Sequence, residues 1–102
     1  MVAIIEDKRD AIAALCRKHG VLRLYVFGSA LRDDFRPGAS DVDLLVDFGP
    51  MDGHRKAHAY FGLLDDLHDL LGTDVDLVMA GAVKNHYIAR DVELTKQMLY
   101  AA

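Results

Sequence analysis

The chain has 102 residues, of which 52% are apolar and 27% are charged. This length and composition predict one globular domain over residues 1–102 and exclude a disordered chain. The formal net charge of −4 argues against general nucleic-acid binding, because the surface as a whole repels a polyanion.

Helices and strands alternate in the predicted order of elements. A helix over about residues 4–19 is followed by the strand LRLYVFGS, the polar loop ALRDDFRPGAS and the strand DVDLLVDF. A second helix opens at Asp52 and closes at Gly72, the strand DVDLVM follows, and a last helix is predicted over about residues 85–100. This order predicts an α+β fold (an α/β sandwich), with a small mixed β-sheet and helices packed against one face.

The helices carry two further expectations. In the middle helix, helical spacing predicts one buried face made of Ala57, Phe61, Leu64, His68 and Leu71. The last helix has apolar residues on more than one stripe, which predicts a second buried face against a partner protein. Its apolar residues are Tyr87, Ile88, Val92, Leu94, Met98 and Leu99.

Several features of the sequence indicate the cellular setting. Cys16 is the single cysteine, so the chain has neither an internal disulfide nor a cysteine-based zinc site. The N-terminus becomes charged after five residues, and no apolar run is long enough to span a bilayer. We therefore expect an intracellular, cytoplasmic protein without a membrane partner.

Two nearly identical acidic stretches, DVDLLV at residues 41–46 and DVDLVM at residues 74–79, are the most unusual feature of the sequence. Their flanks differ, which argues against an internal duplication. Side chains alternate along a strand, so Asp41 and Asp43 share one face of their strand, and Asp74 and Asp76 share one face of theirs. The intervening apolar residues are then predicted to face the core.

Neighbouring carboxylates repel each other unless a cation lies between them. Oxygen ligands of this kind suit Mg²⁺ or Mn²⁺, and two such ions can stabilise a phosphoryl displacement. A third carboxylate from the adjacent strand could accept a proton from the attacking hydroxyl. The alternative is that these aspartates simply face solvent, although aspartate is depleted in strands.

Gly28 and Ser29 follow the first strand directly. A glycine at such a corner lets backbone N–H groups approach a phosphate, and Ser29 adds a hydroxyl. Arg32 and Arg36 offer guanidinium groups in the loop that follows. A Gly-Ser corner alone is usually a turn, but here it stands one loop ahead of an Asp-x-Asp strand and favours a nucleotide–metal site.

The segment FGSALRDDFRPGASDVDLLVDF closely resembles the signature of minimal nucleotidyltransferases, the small members of the DNA polymerase β-like superfamily. The resemblance implies the polymerase β palm-like nucleotidyltransferase fold and transfer of a nucleoside monophosphate with two Mg²⁺ ions. It implies that Gly28 and Ser29 hold the triphosphate of ATP, and that Asp41 and Asp43 bind the metal ions. Asp76, rather than Asp74, matches the third carboxylate of the family.

Many family members of this size are antitoxins encoded beside a helical HEPN-domain toxin, a ribonuclease. The resemblance therefore implies a cognate HEPN partner, which better-studied members silence by adenylylating a tyrosine. The chain departs from the pattern at one point, since eleven residues rather than ten separate Ser29 from Asp41. The extra residue changes the spacing of the loop that contains Arg32 and Arg36, so the phosphate-binding roles of these two residues do not follow from the resemblance alone.

Three functional alternatives follow from the sequence. The first is AMP transfer to the toxin, the second is neutralisation by binding and occlusion, and the third is nucleotidyl transfer to a small molecule. A homodimer or a hetero-oligomer is compatible with each of them. His54 and His58 have a metal-compatible spacing, but no third ligand accompanies them, which favours a solvated helix face.

Overall fold

The computed structural model describes residues 3–31, 41–82 and 86–102. Its centre is a four-stranded sheet made of β1 (Arg23–Phe27), β2 (Val42–Asp47), β3 (Val75–Met79) and β4 (Gln97–Ala101), in the order β3-β2-β1-β4. β1 runs antiparallel to β2 and to β4, whereas β2 and β3 are parallel. A parallel pair needs a long crossover, and a helix supplies it here. The predicted α+β fold with a mixed sheet is confirmed.

Within the described ranges, four helices accompany the sheet: α1 (Ala3–Glu6), α2 (Arg9–Lys18), α3 (Gly53–Leu71) and α4 (His86–Thr95). The predicted ends of the middle helix are confirmed by its caps. The Asp52 side chain accepts a hydrogen bond from the backbone N–H of Arg55 (2.9 Å), and Gly72 ends the helix in a left-handed conformation. The first predicted helix is divided into α1 and α2. None of the helices in the described ranges is long and apolar enough to cross a membrane.

The core lies between one face of the sheet and helices α1 to α3. Alternate strand residues are fully buried on this face, and leucines of α3 pack against them with residues of α1 and α2. Burial of each large aliphatic side chain stabilises the fold by about 1.5–3 kcal/mol. The fully buried residues are Ile5, Ile12, Cys16, Leu24, Val26, Val42, Leu44, Val46, Leu63 and Leu67.

The buried face of α3 differs from the predicted one. Leu63 and Leu67 are fully buried, whereas Phe61, predicted to be buried, is 62% exposed. Both stripes have helical spacing, so periodicity alone does not distinguish them. Packing selects the stripe of Leu63 and Leu67, which face the strands, and of the predicted face Leu71 is buried with them.

The C-terminal segment corrects the prediction of one long final helix. Helix α4 ends at Thr95, and residues Gln97–Ala101 form the edge strand β4. This strand pairs with β1 from Arg23 opposite Ala101 to Val26 opposite Gln97. The backbone groups of β4 form hydrogen bonds with β1 instead of the hydrogen bonds of a helix. Because β1 lies far away in the sequence, the local spacing of apolar residues does not predict this pairing.

Helix α4 also corrects the prediction that all helices pack on one face. Lys96, the residue after α4, places its ammonium 4.1 Å from the centre of the Tyr25 ring. Tyr25 alternates with the buried Leu24 and Val26, so it lies on the face opposite the core. Helix α4 therefore covers part of the second face of the sheet.

Candidate functional site

The second face of the sheet carries the acidic side chains. In β2, Val42, Leu44 and Val46 are buried in the core, and Asp43 alternates with them on the other face. In β3, Leu77 packs into the core and Asp76 is exposed. The predicted alternation of the two acidic strands is confirmed at these positions.

Strand register brings Asp43 and Asp76 side by side. Asp43 is aligned with Asp76 across the parallel β2–β3 pair and with Phe27 across the antiparallel β1–β2 pair. Neighbouring strands lie about 4.7–4.9 Å apart, and aligned residues of a parallel pair point to the same face. Asp41 directly precedes β2 and is exposed. The three carboxylates thus lie together near one end of strands β2 and β3, and we call this end of the sheet the carboxylate edge.

Gly28 joins the carboxylate edge from β1. It begins a 3₁₀ turn (Gly28–Leu31) and has a φ of 71°, a conformation that side chains disfavour. A Cβ built on Gly28 would overlap the Oδ2 atom of Asp43 and would lie 3.1 Å from its Cγ. The backbone of the turn therefore passes directly against the Asp43 carboxylate, and only glycine permits this approach.

The other predicted phosphate-binding residues are Ser29, Arg32 and Arg36. Ser29 lies in the 3₁₀ turn, next to Gly28, and its side chain is outside the described part of the chain. Arg32 and Arg36 fall between the described ranges. The structure therefore locates Gly28, Asp41, Asp43 and Asp76 and the backbone position of Ser29.

Asp74 and Asp76 have different surroundings. Asp74 precedes β3, and its Oδ1 lies 3.5 Å from Nε2 of His68, near the C-terminal end of α3. Asp76 lies within β3 and is aligned with Asp43. Of the two, Asp76 is the carboxylate that shares the edge with Asp43.

The carboxylates at this edge are neighbours but do not converge on one point. Among the described residues, no three His, Cys, Asp or Glu side chains are grouped closely enough to hold a metal ion. Like charges repel, so closer convergence requires a cation between the carboxylates. The oxygen-only donors and the adjacent strand positions suit a hard divalent cation.

A cavity of about 430 Å³ continues along the same face, beneath α4. Leu45, the next residue after Asp43 on this face, forms part of its floor, with Tyr25 beside it. Lys96 lies over the Tyr25 ring and its Nζ is 2.9 Å from Oε1 of Glu93. This volume is in the range of small-molecule sites.

The sequence prediction missed this cavity and its residues. Tyr25 and Lys96 come together because β4 follows α4 and pairs with β1. That pairing joins segments at the two ends of the chain, and no local sequence signal indicates it.

Comparisons with known proteins agree with this geometry. The family model described as "Nucleotidyltransferase domain" matches residues 8–99. Three proteins of Methanocaldococcus jannaschii that are provisionally named protein adenylyltransferases are similar in sequence. The first is 42% identical over 79 residues, covering 78% of this chain and 76% of the relative. The second is 35% identical over 88 residues, covering 86% and 87%.

Solved structures share the fold. A provisionally named minimal nucleotidyltransferase has a TM-score of 0.73 and 32% identity, with 91% of this chain and 90% of that chain covered. A toxin–antitoxin structure with AMP-PNP has a TM-score of 0.69 at 24% identity, with coverage of 92% and 73%. A complex of tri-AMPylated Shewanella oneidensis HEPN toxin with its MNT antitoxin has a TM-score of 0.63 at 23% identity, with coverage of 95% and 72%. The last two show likeness of fold alone.

Proposed function

The chain belongs to the nucleotidyltransferase domain family, and from this membership we propose that it is an antitoxin that transfers AMP from ATP to a tyrosine of a cognate HEPN-domain toxin. The names of its Methanocaldococcus jannaschii relatives support protein adenylylation. The fold that it shares with a HEPN-bound antitoxin supports a toxin partner. We further propose that the reaction takes place in the cytoplasm.

The observation that carries this proposal is the contact between the Gly28 backbone and the Asp43 carboxylate. It joins a turn whose backbone N–H groups can bind phosphate to carboxylates that can bind a divalent cation. A nucleoside triphosphate complexed with Mg²⁺ needs both kinds of group within a few ångströms. The alignment of Asp43 with Asp76 in the parallel β2–β3 pair adds a further carboxylate at the same edge.

We assign Asp41, Asp43 and Asp76 to hold two Mg²⁺ ions, for which Mn²⁺ can substitute. The exposed positions of Asp41 and Asp76 and the oxygen-only donor set fit such ions. When bound, Mg²⁺ supplies positive charge that stabilises the transferring phosphoryl group and the leaving pyrophosphate.

The residues of the chain then position ATP and the acceptor. The turn at Gly28 and Ser29 holds the β- and γ-phosphates, with Arg32 and Arg36 assigned to their outer oxygens. The tyrosine oxygen of the toxin forms a bond to the α-phosphorus, the bond from this phosphorus to the β-phosphate oxygen breaks, and pyrophosphate leaves. Asp76 accepts the tyrosine proton and releases it to solvent. Most of the rate enhancement comes from positioning and charge stabilisation.

The exposure of Asp76 supports an acceptor that arrives from outside the chain. A toxin surface that covers this edge would bring its tyrosine to the carboxylates and exclude water. Neutralisation by binding alone is the second candidate, and one observation favours it. Leu94 is 75% exposed and Met98 is 47% exposed, and both could contact a partner.

Intact-mass measurement of the toxin distinguishes these two functions. The toxin is incubated with the chain, ATP and Mg²⁺, and its ribonuclease activity is measured on the same samples. We expect the toxin to gain whole AMP units and to lose activity, and we expect Asp43→Asn to prevent both changes. Asp65→Asn is the matched control, because Asp65 is an exposed aspartate on α3. Neutralisation without a gain in mass would contradict the transfer and support occlusion.

A further inference from the structure

A second, positively charged cavity lies on the opposite side of the sheet from the carboxylates. It has a volume of about 720 Å³ and lies between the C-terminal end of α2 and the first turns of α3. Six of its nine lining residues carry a basic or imidazole side chain, and none is acidic. They are Arg17, Lys18, His19, His54, Arg55 and His58. We call this cavity the basic groove.

The charge of the basic groove contrasts with the rest of the molecule. The whole chain has a formal net charge of −4, whereas the lining of the groove contains Arg17, Lys18 and Arg55 and no acidic residue. Low-dielectric walls around such a cluster focus its potential and attract anions. The lining of the groove therefore favours an anionic ligand.

Some of these cations already have partners within the protein. Asp66 of α3 accepts from Lys18 (2.9 Å) and lies 2.7 Å from Nε2 of His19. These contacts fix the wall of the groove formed by the end of α2. In contrast, Arg17 and Arg55 form no ion pair with any side chain in residues 3–31, 41–82 and 86–102.

Helix stability explains only part of the basic cluster. Arg17 and Lys18 lie in the last turn of α2, where positive charge is favourable. Arg55 lies in the first turn of α3, where positive charge is unfavourable, and the N-cap carboxylate of Asp52 offsets part of this effect. The dipole of α3 therefore does not explain the charge of Arg55 in the groove.

We propose that the basic groove binds a ligand that carries several phosphate groups. Guanidinium groups bind phosphate oxygens through two parallel hydrogen bonds, and Arg17 and Arg55 have these donors available. The volume accommodates a ligand larger than a single phosphate. Two sources share this chemistry, a free polyphosphate and the backbone of a short RNA.

The basic groove is distinct from the carboxylate edge. Its lining comes from α2, α3 and the segments beside Gly20 and Met51, at the start of β1 and beyond the end of β2. Asp43 lies near the other end of β2, about 13 Å from Asp47 along the strand. The two sites also lie on opposite faces of the sheet, so a ligand in the groove does not occupy the carboxylate site.

Fluorescence anisotropy tests the proposal on the full chain. A labelled single-stranded RNA of about 12 nucleotides is titrated in about 0.1 M salt without Mg²⁺, and unlabelled tripolyphosphate is used both alone and as a competitor. We expect Arg17→Glu/Arg55→Glu to weaken binding about a hundredfold, because each lost charge-assisted contact accounts for about tenfold. Arg90→Glu, an exposed arginine on α4, is the matched control and should change affinity less than threefold, as roughly expected for a screened distant charge.

The outcomes separate the two sources and can overturn the proposal. RNA binding that tripolyphosphate does not displace assigns the RNA backbone, whereas tripolyphosphate binding without RNA binding assigns a free polyphosphate. Absence of binding to either ligand overturns the proposal. So does an equal loss with Arg90→Glu, since it indicates general attraction between charges. Arg17 and Arg55 are both exposed, and circular dichroism of each variant verifies the fold.

Discussion

Gly28→Ala places a methyl group where the carboxylate of Asp43 lies. The substitution has two separate effects. The first is on the backbone, because alanine disfavours the φ of 71° at this position. The second is on the site, because the new Cβ overlaps Oδ2 of Asp43 and lies within 3.3 Å of its Cβ. Asp43 must then turn away from the 3₁₀ turn.

Each effect has an expected magnitude. A left-handed conformation costs an L-residue about 1–2 kcal/mol. Turning Asp43 away from its preferred rotamer costs about 0.5–1.5 kcal/mol more. We therefore expect Gly28→Ala to lower the free energy of unfolding by about 2–3 kcal/mol. AMP transfer should fall much further, because the carboxylate no longer faces the triphosphate.

Gly72→Ala is the matched control for the backbone effect. Gly72 has a φ of 67°, and a Cβ built there meets no atom within 4 Å. Urea unfolding should show a loss of about 1–2 kcal/mol for this variant, and its transfer rate should remain that of the wild type. In the double variant Gly28→Ala/Asp43→Ala, most of the extra destabilisation should disappear, since the overlapping atoms are absent. If Gly28→Ala matches Gly72→Ala in both stability and transfer, the assigned contact is wrong.

Three further predictions concern single side chains. Asp76→Asn should slow AMP transfer about a hundredfold or more, because it removes the proposed proton acceptor; the time course of toxin mass measures this. Hydrogen bonds from His19 and Lys18 lower the pKa of Asp66, so its charged form stabilises the fold at neutral pH, and this stabilisation is lost as the pH falls through the lowered pKa. Urea unfolding of wild type and Asp66→Asn should therefore differ at neutral pH, and the difference should shrink as the pH falls below the ordinary carboxylate pKa of about 4. Burial raises the pKa of the Cys16 thiol to about 12, so iodoacetamide at about pH 8 should alkylate Cys16 only after denaturation.

Much of the candidate site could be predicted from the sequence. Alternation along a strand was sufficient to place Asp43 opposite the core residues Val42 and Leu44, because one face of the sheet had to be apolar. The Gly-Ser corner was recognisable because glycine is needed where a backbone approaches another group closely. Its contact with Asp43 gives that requirement a specific structural cause.

The prediction failed where two local patterns had similar merit. Phe61 and Leu63 lie on different faces of α3, and both faces have helical spacing. The sheet decides between them by contact with Leu63, and this choice depends on residues distant in the sequence. Residues 97–101 continued a helical pattern from α4, but hydrogen bonding to β1 made them a strand. The cavity beneath α4 follows from that strand and was missed for the same reason.

The most direct test of the proposed site is NMR with Mn²⁺ as a paramagnetic substitute for Mg²⁺. Mn²⁺ is added to isotope-labelled protein in the presence of AMP-PNP, and the backbone amide signals are followed residue by residue. We predict that the signals of Gly28, Asp43 and Asp76 broaden first, and that Asp43→Asn abolishes this broadening. Broadening that begins instead at His54 and His58, or that persists unchanged in Asp43→Asn, would contradict the assignment of the nucleotide–metal site to this edge of the sheet.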